Sequence, residues 1–209
     1  MKLADVERSN LSVDVAGVAQ QYSADLVRQA ACLGNQAWID VMGAVIGALD
    51  RGHLVMVAGN GGSASTANHL AADWRAATRI SKRPGRVVSL VENVSRVLAL
   101  ANDVGFDRIF ADQVEELAEP GDLLLVLSVS GSSRNLVSAA QVAQRLGADV
   151  GGLLGASGDV IRHMDEAWVC EEKDYGTCED LQLSFGHCLV RALIGGPQTS
   201  ADQVHGWLR

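Results

Sequence analysis

What most constrains this chain is a rhythm. Short apolar runs at residues 53–58 (HLVMVA), 86–91 (RVVSLV), 122–127 (DLLLVL), 150–154 and 167–170 alternate with stretches whose apolar residues recur at three- and four-residue steps. The runs are strand-sized and nearly all apolar, as strands covered on both faces must be. The intervening stretches, 64–77, 94–101, 107–117 and 135–146, have helical period, and a further helix is expected at 178–193. Strands that alternate with helices of this length form a parallel sheet with helices on both sides. The expected fold is therefore α/β, a doubly wound parallel five-stranded sheet. Residues 13–32 and 36–49, broken by Gly34-Asn35, add an N-terminal helical extension. The expected division is 1–50 for those helices, in the same folding unit, 51–196 for the α/β body and 197–209 for a polar tail.

Composition narrows the function. With 17 Lys+Arg against 25 Asp+Glu, the net charge is −8. Neutralising nucleic-acid phosphates needs clustered cations, so no nucleic-acid partner is expected. No apolar run reaches the roughly 18 residues of a membrane span. The start, MKLADVERSN, lacks the pattern of a secretory signal. Cysteines at 32, 170, 178 and 188 form no CxxC pair, so a cytoplasmic protein with reduced thiols is expected. Arg75, Arg79, Lys82, Arg83 and Arg86 make a basic stretch, readable as a solvated face or as an attractor of anions.

The glycines and serines concentrate the chemistry. Residues 59–66 (GNGGSAST) and 128–133 (SVSGSS) each follow a strand and precede a helix. Open α/β sheets bind ligands at such junctions. Glycine lets backbone approach an anion, the helix start supplies unpaired N–H groups, and serine adds neutral donors. Neither loop is a P-loop, since no Lys follows the glycines, and the spacing of Gly59, Gly61 and Gly62 is not GxGxxG. Two such loops point to a phosphorylated small molecule held by Ser128, Ser130, Ser133 and nearby amides.

GNGGSASTANHLAADW, LANDVGFDRIF, LSVSGSSRNLVSAA and CEDLQLSFGHCL, in that order, resemble the sugar isomerase (SIS) domain family over residues 20–195. The similarity is greatest to its phosphoheptose isomerase branch, which interconverts sedoheptulose 7-phosphate and D-glycero-D-manno-heptose 7-phosphate. The resemblance implies a flavodoxin-like sheet and a homotetramer with active sites between subunits. It implies that Asn60, Gly61 and Gly62 contact substrate with Ser63 beside them. It also implies that Asn102 and Asp103 reach sugar hydroxyls and that Ser128, Ser130 and Ser133 cradle the phosphate. The chain departs from the family at Val129, where Thr is usual, and loses one side-chain donor.

His69 and Asp73 lie four residues apart and so share one helix face. The resemblance joins them to Glu179 and His187 as the family's His, Glu, Gln and His. Asp73 thus replaces the usual Glu, and Glu179 the usual Gln. An alternative register would match Gln182 to the family Gln and leave Val190 at the His position; the ungapped one also aligns Cys188-Leu189. Moving a carbonyl between C1 and C2 needs an acid and a base working through an enediol. Asp73 and His187 are the expected pair, in either order. Some family members bind zinc among these four positions, so His69, Asp73, Glu179 and His187 are also the expected metal set. Glu179 and His187, eight residues apart, can share an ion only if Glu179 sits at or before the helix start. Asp174 and Tyr175 are candidate pocket residues. The rival reading is a non-catalytic member: a sugar-phosphate sensor, or a tetrameric partner of the replication initiator.

Overall fold

The computed structural model describes residues 14–170 and 174–195. Five parallel strands, β1 (Leu54–Gly59), β2 (Arg86–Ser89), β3 (Leu123–Ser128), β4 (Asp149–Leu154) and β5 (Glu166–Val169), lie in the order β2-β1-β3-β4-β5. The order reverses between β1 and β3, the point at which doubly wound sheets open a crevice at their carboxyl ends. Gly59 is in register with Leu127. The chain therefore leaves β1 and β3 side by side, and the two glycine- and serine-rich loops become neighbours.

Helices cover both faces. On one side α2 (Gln36–Asp50), α3 (Gly62–Ile80) and α7 (Tyr175–Ile194) bury Trp38, Leu49, Leu70, Trp74 and Phe185 against Val55, Val57 and Leu125. Trp38 meets the edges of Trp168 and Phe185, each with ring centroids 4.9 Å apart. On the other side α4 (Val94–Asp103), α5 (Ala111–Leu117) and α6 (Arg134–Arg145) bury Leu100, Phe110, Val114 and Leu136 against Met56, Leu124 and Val126. Alternate residues of β1 and β3 thus enter opposite cores, which is why both strands read as unbroken apolar runs.

The first helix, α1 (Val15–Ala30), has no buried residue and leaves Val15, Val18 and Val27 exposed. It is held to α7 by the Tyr22 hydroxyl, which donates to Asp180 Oδ2 at 2.6 Å. That short bond raises the phenol's pKa to about 12, with burial and the charges of Asp180 and Asp174 adding to the shift.

Several element boundaries differ from the sequence reading, among them those of α3, which runs over Gly62–Ile80 rather than 64–77. Helix α7 begins at Tyr175 rather than residue 178, because Asp174 caps it by accepting from Thr177 N at 2.8 Å. The helix expected at 107–117 is a 3₁₀ turn at Phe106–Arg108 followed by α5. Strand β2 stops at Ser89, two residues short, and Ser89 Oγ then accepts from Val91 N. The tail expected at 197–209 lies outside the described residues.

Candidate active site

A cavity of about 300 Å³ opens where the order of strands reverses. Asn60, Gly61, Gly62 and Ser63 form one wall, and Ser128, Val129, Ser130 and Ser133 form another; Tyr175 and Glu179 of α7 close the side. Each loop leads into a helix whose first turn lacks a side-chain cap: Gly61 precedes α3 and Ser133 precedes α6 with no capping hydrogen bond. Their N–H groups and the positive ends of two helix dipoles are left for a ligand. Such an arrangement can receive an anion although no Lys or Arg lines the cavity.

The loops are braced internally. The side chains of Asn60 and Asn135 exchange two hydrogen bonds, Nδ2 of each donating to Oδ1 of the other, at 3.0 and 2.9 Å. Ser128 Oγ accepts from Gly131 N at 3.0 Å, and Ser130 Oγ from Ser132 N at 3.3 Å. Ser63, buried, donates its hydroxyl to Gln182 Oε1 at 2.9 Å. Asn60 and Ser63 therefore direct their side chains at protein groups as well as lining the cavity.

Glu179 stands in the second turn of α7 with its carboxylate against Gly62. A Cβ at position 62 would collide with the Glu179 carboxylate, so only glycine leaves room for this arrangement.

Helices α3 and α7 bring a second group together. His69 Nε2 lies 3.2 Å from Asp73 Oδ2 and 3.3 Å from His187 Nε2. The ligand atoms of all three lie within 4.8 Å of one another. Two donors bound tetrahedrally to zinc at its usual 2.0–2.2 Å stand roughly 3.3–3.6 Å apart, so the two short separations fit such an ion. Glu179 does not join this cluster; five residues into α7 rather than at its start, it faces the loops. None of the three clustered residues lines the cavity, and His187 instead borders a groove between α1 and α7 with Leu26, Val27 and Asp180.

Asn102 and Asp103 are exposed at the end of α4, where Asn102 Nδ2 donates to Asp103 Oδ1 at 2.7 Å; neither lines the cavity. Of the other candidates, Tyr175 lines it and Asp174 caps α7. The basic stretch is partly tied down: Arg75 pairs with Glu92 at 2.5 Å and donates to Val87 O, and Arg83 pairs with Asp50. Asn135 and Gln182 carry no local sequence signal for their bracing roles, since each acts through a partner distant in the chain.

Fold and loops together define a class: a doubly wound α/β protein with two glycine- and serine-rich loops lining a cavity at its switch point. The chain belongs to the SIS domain family, whose family model matches residues 20–155. It is 39% identical over 149 residues to the phosphoheptose isomerase of Pelobacter propionicus, covering 71% of this chain and 79% of that one. It is 42% identical over 151 residues to that of Rhodospirillum rubrum, covering 72% and 80%. The structure of phosphoheptose isomerase from Neisseria gonorrhoeae superimposes with a TM-score of 0.77 at 23% identity, covering 86% of this chain and 98% of that one, and shows the shared fold. These relatives place the chain among the isomerases of its family.

Proposed function

We propose that this protein is an aldose–ketose isomerase of sedoheptulose 7-phosphate, producing D-glycero-D-manno-heptose 7-phosphate. The observation that carries the reading is the pairing of a cation-free phosphate cradle with a His–Asp–His cluster on the helices beside it. Relatives at 39% and 42% identity, named phosphoheptose isomerases, support the substrate. Ser128, Ser130, Ser133 and the first-turn amides of α3 and α6 hold the phosphate. Asn60, Gly61, Gly62, Ser63 and Glu179 face the sugar, and Asn102 and Asp103 supply hydroxyl contacts from a neighbouring subunit.

In the forward direction a proton leaves C1 of the ketose and returns to C2, while a hydroxyl proton moves from O1 to O2. Asp73 and His187 divide these transfers. Their mutual neighbour His69, 3.2 Å from Asp73 Oδ2 and 3.3 Å from His187 Nε2, keeps Asp73 oriented.

His69, Asp73 and His187 would hold a zinc ion, and the metal when bound polarises the oxygens that gain charge during proton transfer. The assembly in this reading is a homotetramer; the separation of the cavity from the cluster within one chain supports a site completed by a second subunit. The exposed Val15, Val18 and Val27 of α1 and Val94 and Leu98 of α4 support subunit contact. No described helix is long and apolar enough to cross a membrane, and the exposed thiol of Cys32 suits a reducing cytoplasm.

The test is incubation with sedoheptulose 7-phosphate in deuterated water, with and without zinc. Deuterium at C1 of recovered ketose and formation of the aldose are expected. Neither label nor aldose would reject the isomerase reading for this sugar and favour the non-catalytic sensor or partner.

A further inference from the structure

Gln182, outside the proposed chemistry, is a polar side chain with no solvent exposure. It stands on α7 three residues after Glu179 and five before His187. Its carboxamide is used from both ends. Oε1 accepts from Ser63 in the first turn of α3, and Nε2 donates to the carbonyl of Leu153 in β4 at 3.0 Å, with Cys178 Sγ 3.9 Å away. A single side chain therefore ties three elements at one point: the helix that carries His69 and Asp73, the helix that carries His187, and the sheet beneath them.

The rest of the α3–α7 contact sets spacing but leaves sliding less restricted. Trp74 Nε1 donates to Gly186 O at 3.2 Å, and Leu70 sits so close over Gly186 that a Cβ there would lie 2.6 Å from Leu70 Cδ1. Apolar contacts tolerate small shifts along a helix, whereas a hydrogen bond loses strength steeply with misalignment. The 3.3 Å approach of His69 to His187 depends on that register, since the two rings come from different helices.

We infer that Gln182 is a positioning residue: its hydrogen bonds to Ser63 and Leu153 fix the register of α3 against α7 and so set the His69–His187 approach. It touches no substrate. The kinetic half of the inference rests on the isomerase reading, and the geometric half does not.

Gln182→Met keeps length and volume while removing both hydrogen bonds. Ser63→Ala removes the same link from the other side with a smaller change. Each is expected to lower kcat by about 10- to 100-fold, the loss that misplacement of about 1 Å can cause; for Gln182→Met, at a position outside the cavity lining, KM for sedoheptulose 7-phosphate stays within about threefold. The double variant should be little worse than Gln182→Met alone, because that variant already lacks the bond to Ser63. In parallel, histidine-labelled, otherwise deuterated protein should show a ring-proton cross-peak between His69 and His187, whose centroids are 5.4 Å apart, and both variants should weaken it. Lowered thermal stability with unchanged kcat and an intact cross-peak would reduce Gln182 to a structural residue and overturn the inference. So would absence of the cross-peak in the unaltered protein. Should the unaltered protein fail to isomerise the sugar, the functional reading falls and the cross-peak alone decides this one.

Discussion

Asn60 and Asn135 face each other across the mouth of the sheet and exchange two hydrogen bonds, although 75 residues separate them in the chain. Asn60 belongs to the loop after β1, and Asn135 to the first turn of α6 after the loop from β3. The pair makes the two anion cradles one object. Asn135 is 1% exposed, so a broken bond leaves an amide without water to replace its partner. Asn135→Asp is the informative change, because a carboxylate cannot donate to Asn60 Oδ1. It should cost about 1–3 kcal/mol of stability and raise KM for the phosphosugar, with a smaller effect on kcat. Denaturation and steady-state kinetics on the same preparation check both; unchanged KM would show that the cradles do not depend on this clamp.

Glycines 59 and 62 lie three residues apart and are needed for different reasons. A Cβ on Gly59 would lie 2.7 Å from the Ser63 carbonyl, a rigid part of α3, whereas one on Gly62 meets the end of the Glu179 side chain. Gly59→Ala should therefore destabilise the fold. Gly62→Ala should fold nearly as well as the parent and lose substrate affinity, because Glu179 is displaced into the cavity. Thermal denaturation separates the two, and equal losses of stability would contradict the distinction.

The architecture was legible because its signal is local and repeated. Every strand expected from an apolar run is present within two residues, and the fold's parallel order follows from helical intervals between them. The loop residues were legible for the same reason: Gly, Ser and Asn between a strand and a helix have few uses. What escaped was contact between distant segments. Asp174 is an ordinary helix cap in sequence terms, yet by starting α7 at Tyr175 it places Glu179 inside the helix and away from the His–Asp–His cluster. Asn135 and Gln182 brace the site through Asn60 and Ser63, and neither pattern nor periodicity couples positions 75 and 119 residues apart.

The His69, Asp73 and His187 cluster predicts a metal requirement for those three residues and not for Glu179. Protein purified without chelator or polyhistidine tag should retain zinc, measurable by elemental analysis. Asp73→Ala and His187→Ala should each lose it, since fewer than three protein ligands rarely hold zinc. Glu179→Gln should keep it, because Glu179 lies outside the cluster. Loss of metal from the Glu179 variant would mean that α7 or a neighbouring subunit brings this carboxylate to the ion.

Tyr22 gives α1 a dependence on pH at the alkaline end. Its phenol stays protonated to about 12, above the ordinary value of 10.0, chiefly because it donates to Asp180. The folded form thus favours the neutral phenol. The stabilisation is full below the unfolded value and is lost as pH rises through the folded one. Titration followed by phenolate absorbance should show a late-ionising tyrosine that Tyr22→Phe abolishes. The same variant should increase amide exchange in α1 at neutral pH, since α1 has no buried residue of its own to hold it. A Tyr22 phenol that titrates near 10.0, with α1 exchange unchanged in the variant, would show that the bond to Asp180 does not anchor the helix.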